Sequence, residues 1–106
     1  MIATTPTPPY YAVIFTSTRT EGDHGYEAMA QQMDALAKLQ PGYLGIESAR
    51  NEIGITVSYW ESLESIAGWK QQTDHLAAQN LGIKQWYSSY KIRICLVERD
   101  YGFSKL

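Results

Sequence analysis

His75 and Trp69 are the side chains of this 106-residue chain best suited to chemistry, and both lie in the stretch GITVSYWESLESIAGWKQQTDH, residues 54–75. A histidine titrates near neutral pH and can act as a general base or orient a ligand. A tryptophan offers a flat apolar face, and Trp60, Tyr59, Trp86, Tyr87 and Phe15 add rings that can line a pocket for a planar molecule. Each ring also has a plainer reading as core. His24 and His75 are too few and too far apart to argue for a metal site, and Asp74-His75 is not a recurring ligand spacing. His24 belongs to a polar loop and is expected in solvent. The chain contains no nucleophile–base pair, paired carboxylates or phosphate-cradling loop, and Gly42, Gly45 and Gly54 form no nucleotide fingerprint.

The elements that must position these residues follow from periodicity. Ile55, Val57 and Tyr59 alternate with Thr56, Ser58 and Trp60, which puts one set on each face of a strand. Ser62 is a good N-cap, Glu64 suits the positive end of a helix dipole, and a helix starts near Leu63. Leu63, Ile66 and Trp69 recur at helical spacing, so Trp69 points inward. In an unbroken helix His75 lies well round from that stripe, at the surface. Thr73 and Asp74 are both cap types, however, and a break there would turn His75 toward the pocket. Both placements stay open.

Elsewhere, residues 1–9 carry three of the four prolines and form an extended arm, leaving one domain at 10–106. Residues 10–18 read as a central strand with both faces partly covered. Asp23 is a candidate cap for a helix spanning 26–39, which Pro41-Gly42 ends. Residues 43–50 form a second strand, joined as a hairpin to the third through residues 51–54, with Gly54 suited to a left-handed position. Gly82 interrupts a weakly helical segment, Trp86-Tyr87 adds aromatic bulk, and residues 90–99 form the last strand with Cys95 as a packing residue. Glu98-Arg99-Asp100 reads as a charge cluster. Tyr101 and Phe103 make the tail too apolar to hang free.

Composition excludes several classes. Nine basic against eleven acidic residues, a net charge of −2, leave no basic field for a nucleic-acid backbone. One cysteine rules out an intrachain disulfide. No apolar run is long enough for a membrane span, nothing resembles a signal peptide, and the cytosol is the expected compartment. The order β-α-β-β-α-β predicts an α+β, ferredoxin-like domain: one four-stranded antiparallel sheet with both helices on one face. Strands one and four carry apolar residues on both faces, which predicts a two-fold dimer packed sheet against sheet.

The segments VSYWESLESIAGWKQQTDHLAA and WYSSYKIRICLVERDYGF, in this element order, resemble the antibiotic biosynthesis monooxygenase superfamily of dimeric α+β barrels over residues 10–103. The resemblance implies a homodimer with a ligand cavity between sheet and helices in each subunit. Members include cofactor-free oxygenases of aromatic polyketides, quinol oxygenases and haem-degrading enzymes. The haem-degrading branch uses an asparagine on the first strand, a tryptophan on the second helix and a histidine ten residues later. Trp69 matches the tryptophan, but Gln79 stands at the histidine's place and the strand offers Phe15, Thr16 and Ser17. Haem degradation is therefore disfavoured unless His75 substitutes after a helix break. In the cofactor-free members O2 reacts directly with an electron-rich phenolate or its carbanion, so the protein need only bind, deprotonate and exclude water. The resemblance points to Trp69, His75 and nearby tyrosines for that work. The expectation is a cofactor-independent monooxygenase acting on a small aromatic or quinone-like substrate, with a non-catalytic small-ligand-binding or stress-associated dimer as the alternative.

Overall fold

The computed structural model describes residues 1–79 and 83–105, with side chains at 1–76 and 85–105. The elements are β1 (Tyr10–Arg19), α1 (Tyr26–Lys38), β2 (Tyr43–Arg50), β3 (Gly54–Trp60), α2 (Leu63–Gln79), the single turn α3 (Ile83–Trp86) and β4 (Tyr87–Val97). The strands form one antiparallel sheet in the order β2-β3-β1-β4, so β1 is central and β4 is an edge. This is the expected ferredoxin-like βαββαβ fold. The interruption expected at Gly82 lies outside the described residues.

Cross-strand register sorts the side chains onto two faces. Tyr11, Val13, Phe15 and Ser17 share the helix side with Trp60 and Ser58 of β3 and with Ile94 and Ile92 of β4. Tyr10, Ala12 and Ile14 share the far face with Tyr59, Val57 and Cys95. The core sits on the helix side, where Val13, Trp60 and Ile66 are buried together, with Tyr11, Tyr43 and Trp69 packed around them.

Local chemistry fixes the helix starts. The Asp23 carboxylate accepts hydrogen bonds from the amides of Gly25 (2.9 Å) and Glu27 (3.2 Å), so it caps α1 from two residues outside the left-handed Gly25. Ser62 Oγ accepts the Ser65 amide at 3.1 Å, as an N-cap should. Gly42 then ties the α1–β2 link to this same turn. Its φ is +82°, its carbonyl accepts the Glu61 amide at 2.9 Å, and a Cβ there would lie 2.6 Å from Ser65 Cβ. Only glycine permits that approach.

Two expectations need correction, and the arm and tail take positions the sequence did not specify. Gly54 is not left-handed: it is a buried strand residue paired with Arg50 and Ser17, and its missing side chain leaves room for the Arg50 guanidinium, which a Cβ would strike. The last strand begins at Tyr87, three residues early, because an irregularity in the β1–β4 pairing lets Tyr87 join opposite Arg19. The arm folds back beneath the far face, where the Ala3 amide donates to Glu47 Oε2 (2.9 Å) and Thr5 Oγ1 donates to the Tyr10 hydroxyl (3.0 Å). In the tail Asp100 is anchored, accepting the Tyr10 hydroxyl at 2.6 Å, but Tyr101 and Phe103 remain 91% and 84% exposed. The chain does not dock these two aromatics on itself.

Candidate functional site

β3 ends by driving Trp60 into the helix side of the sheet. Trp60 is 0% exposed, donates from Nε1 to Ser58 Oγ at 2.9 Å, and meets Tyr43 edge-on with ring centroids 5.8 Å apart. The Ile66 stripe of α2 brings Trp69 onto it, stacked at 5.8 Å and 27°. Trp69 is only half-buried. A locked inner ring therefore fixes the orientation of an outer ring that keeps part of its face open.

Among the described residues, the helix side of β4 is left open. α1 packs on β2 and α2 on β3, with Ile66 reaching Val13 of β1, whereas the edge strand β4 shows Tyr90, Ile92, Ile94 and Leu96, each about half exposed, on the same side as Val13. The result is an open apolar trough floored by β1 and β4, in place of the closed slot that the aromatic residues suggest.

The trough ends in an aromatic and cationic group. Phe15 stacks on Tyr90 (5.5 Å, 28°) and meets Tyr87 edge-on (5.4 Å), and Tyr87 meets Tyr26 of α1 at 5.7 Å. The Arg19 guanidinium lies 3.5 Å over the Tyr26 ring and the Arg50 guanidinium 5.9 Å from it. Burial pushes the Tyr87 phenol well above the usual tyrosine range, and its hydrogen bond with Tyr26 adds to this. The two arginines pull it down without prevailing, so Tyr87 stays neutral.

Of the residues singled out from the sequence, Trp69, Trp60, Phe15 and Tyr87 share the helix side. Trp86 is buried behind them, its Nε1 donating to the His24 carbonyl at 2.8 Å. Tyr59 falls on the far face because strand side chains alternate. There it packs edge-on against Tyr10 at 5.9 Å and donates to Glu47 Oε1 at 2.6 Å. The helix break that would re-aim His75 does not occur. α2 runs unbroken through Thr73 and Asp74, Thr73 Oγ1 donates to the Lys70 carbonyl at 2.9 Å, Lys70 pairs with Asp74 at 2.8 Å, and His75 is exposed on the helix flank. His24 is exposed in its loop, as expected. The side chain of Gln79 lies outside those described. A groove of about 260 Å³ opens at the Ser17 end of the sheet, lined by Ser17 and Tyr90 together with Thr16, Ile53, Lys91 and Arg93. Sequence reasoning missed Arg19 and Arg50, although Arg19 lies two residues from Ser17 and four from Phe15, the period that puts all three on one face.

Residues 9–81 match the family described as antibiotic biosynthesis monooxygenase. The chain belongs to that family. Among relatives of this monooxygenase-family chain, the uncharacterised protein YqjZ of Bacillus subtilis (strain 168) is 47% identical over 106 residues, covering 98% of this chain and 93% of YqjZ. The fold is also that of SnoaB, a cofactor-independent oxygenase from Streptomyces nogalater, with a TM-score of 0.72 and 10% identity over 88% of this chain and 97% of SnoaB. PA3566 from Pseudomonas aeruginosa has a TM-score of 0.64 and 18% identity over 89% of this chain and 99% of its own. Likeness at such identities establishes the shared fold.

Proposed function

We propose that this protein is a cofactor-independent monooxygenase, working as a homodimer, whose substrate is a small aromatic or quinol-like molecule. The observation that carries this reading is the half-open Trp69 ring, fixed by the buried Trp60 and facing an apolar trough. Membership of the monooxygenase family and a fold shared with an oxygenase described as cofactor-independent support it.

In this reading the planar substrate lies along the trough against Trp69 and the β4 aliphatic side chains. The apolar lining orients the planar ring system and favours the near-attack geometry with O2. For an anthrone-type substrate, the ring carbon loses a proton to solvent at the open trough, the carbanion forms a C–O bond with O2, the peroxide takes a proton back, and loss of water leaves the ketone. Two substrate hydrogens leave as water with the second oxygen atom. The electrons come from the substrate, and no outside reductant enters the balance.

The test is O2 uptake with anthrone and no added flavin, haem or metal. One O2 should disappear per ketone formed. Trp69→Phe should lower kcat/KM modestly and Trp69→Ala about tenfold or more, because only the second removes the aromatic platform. His75→Ala and the control His24→Ala should stay close to wild type, as exposed positions do. Saturable binding of the anthrone without O2 uptake would instead establish a non-catalytic ligand-binding dimer.

A further inference from the structure

Arg19 and Arg50 lie at the Ser17 end of the trough, beside Tyr26. Among the described residues, no aspartate or glutamate oxygen lies within 4.0 Å of either guanidinium; the ion pairs found are Lys38–Asp34 and Lys70–Asp74. Tyr87, which meets Tyr26 edge-on at 5.7 Å, is held neutral by its burial and supplies no negative charge. Yet the cations are held in place. Arg19 donates from Nε to the Trp86 carbonyl (2.7 Å) and from Nη2 to the Gly22 carbonyl (3.2 Å), and stacks on Tyr26. Arg50 crosses the bare backbone of Gly54 to donate from Nη2 to Ser17 Oγ, a side chain only 2% exposed. Both guanidiniums are thus held near the Tyr26 ring by neutral partners, Arg19 half-buried and Arg50 exposed, which leaves their charges available to an anion.

The position of the pair gives the ligand's shape. Val13, Phe15 and Ser17 are successive helix-side residues of β1, running from the tryptophan pair to the arginines, and at ~3.3 Å per residue the row spans ~13 Å. Phe15 and Tyr90 provide stacked rings in between. We infer that Arg19 and Arg50 anchor a carboxylate on one end of a planar aromatic acid whose fused rings lie along this row, Arg50 being the residue that selects the acid. This rests on the reading of the trough as the ligand site.

The experiment is calorimetric titration with 3-hydroxy-2-naphthoate and with 2-naphthol, its counterpart without the carboxylate. The acid should bind at least about tenfold more tightly, as expected for charge-assisted contacts, and its advantage should shrink with added salt. Two variants test the residue. Arg50→Met removes the cation, and Gly54→Ala leaves the arginine in place but fills the space its guanidinium occupies. Gly54 has no positive φ, and the displaced group is the tip of a flexible side chain, so the fold should survive. Both variants should bring the ratio of the two affinities close to one. Equal affinities in the wild type, a preference that survives both variants, or no binding of either compound in the millimolar range would overturn the assignment. Failure of the two readings is distinguishable. Acid preference without O2 uptake removes the oxygenase reading alone, whereas turnover of anthrone without acid preference removes the anchor alone.

Discussion

Tyr59 shows how one phenol and one carboxylate set each other's charge on the face away from the trough. Glu47 accepts the Tyr59 hydroxyl at Oε1 (2.6 Å) and the Ala3 amide at Oε2 (2.9 Å). The tyrosine hydrogen bond, helped by the Ala3 amide, holds the Glu47 carboxyl below its ordinary value of 4.5. Burial pushes the Tyr59 phenol up to about 12, and the bond to Glu47 adds to the rise. The signs then follow from linkage. A depressed acid stabilises the fold above its unfolded value near 4.5 and loses that contribution as pH falls through the folded pKa. A raised phenol stabilises it below the ordinary 10.0 and loses that as pH rises toward about 12. The pair therefore supports the fold between these limits. In a spectrophotometric titration, Glu47→Gln should move one late-ionising tyrosine to lower pH and weaken the acid-side fall in the thermal midpoint. If both curves match the wild type, this hydrogen bond is not made in solution.

The start of α2 depends on Gly42 more than on any apolar contact. Because its φ of +82° and the 2.6 Å approach to Ser65 Cβ coincide, Gly42→Ala meets both backbone strain and a clash with the Ser65 side chain. It should cost about 1–3 kcal/mol in urea unfolding, and a loss within 0.5 kcal/mol, the usual range of neutral surface changes, would show that the link yields freely. Gly54→Ala should cost less, since only a side-chain tip must move. The two glycines also mark what was legible beforehand. Strand alternation and the Ser62 cap are local signals, so the βαββαβ order, the inward Trp69 and the central β1 could be read from neighbours in the chain. Gly42 was legible only as a stop signal, and Gly54 was misread as a turn residue because its reason is Arg50 lying across it. The Arg19–Arg50 pair arises from residues 31 apart, and no spacing rule announces it. His75 was a fork that only the continuity of α2 resolves. The trough was invisible because which strand a helix leaves bare depends on packing.

One chain alone exposes more surface than a protein of its mass usually does. Its 7816 Å² compares with roughly 6000 Å² from the mass scaling of compact monomers. Its radius of gyration of 14.5 Å likewise exceeds the ~13 Å of a compact domain of this length. Part of the excess is the arm and the extended tail. The arm already lies under its own sheet, so the tail, with Tyr101 and Phe103 in solvent just beyond the anchored Asp100, is the piece left without a surface. The far face offers one: Ile55 is exposed there, with Ile14 and Val57 half-buried next to it and Val97 half-buried at the other end of the sheet. A second copy placed sheet to sheet would cover that strip, and the tails would reach across to the partner. A standard interface needs about 800 Å² per subunit, well within the roughly 1800 Å² excess. Light scattering should therefore report about twice 12.0 kDa at micromolar concentration. Replacing Tyr101 and Phe103 together by serine should weaken association at least about a hundredfold, since each buried aromatic contributes roughly 1.5–3 kcal/mol. A wild-type chain that scatters as a monomer would remove the homodimer, while an unweakened double variant would leave the far-face strip holding the two copies without the tails.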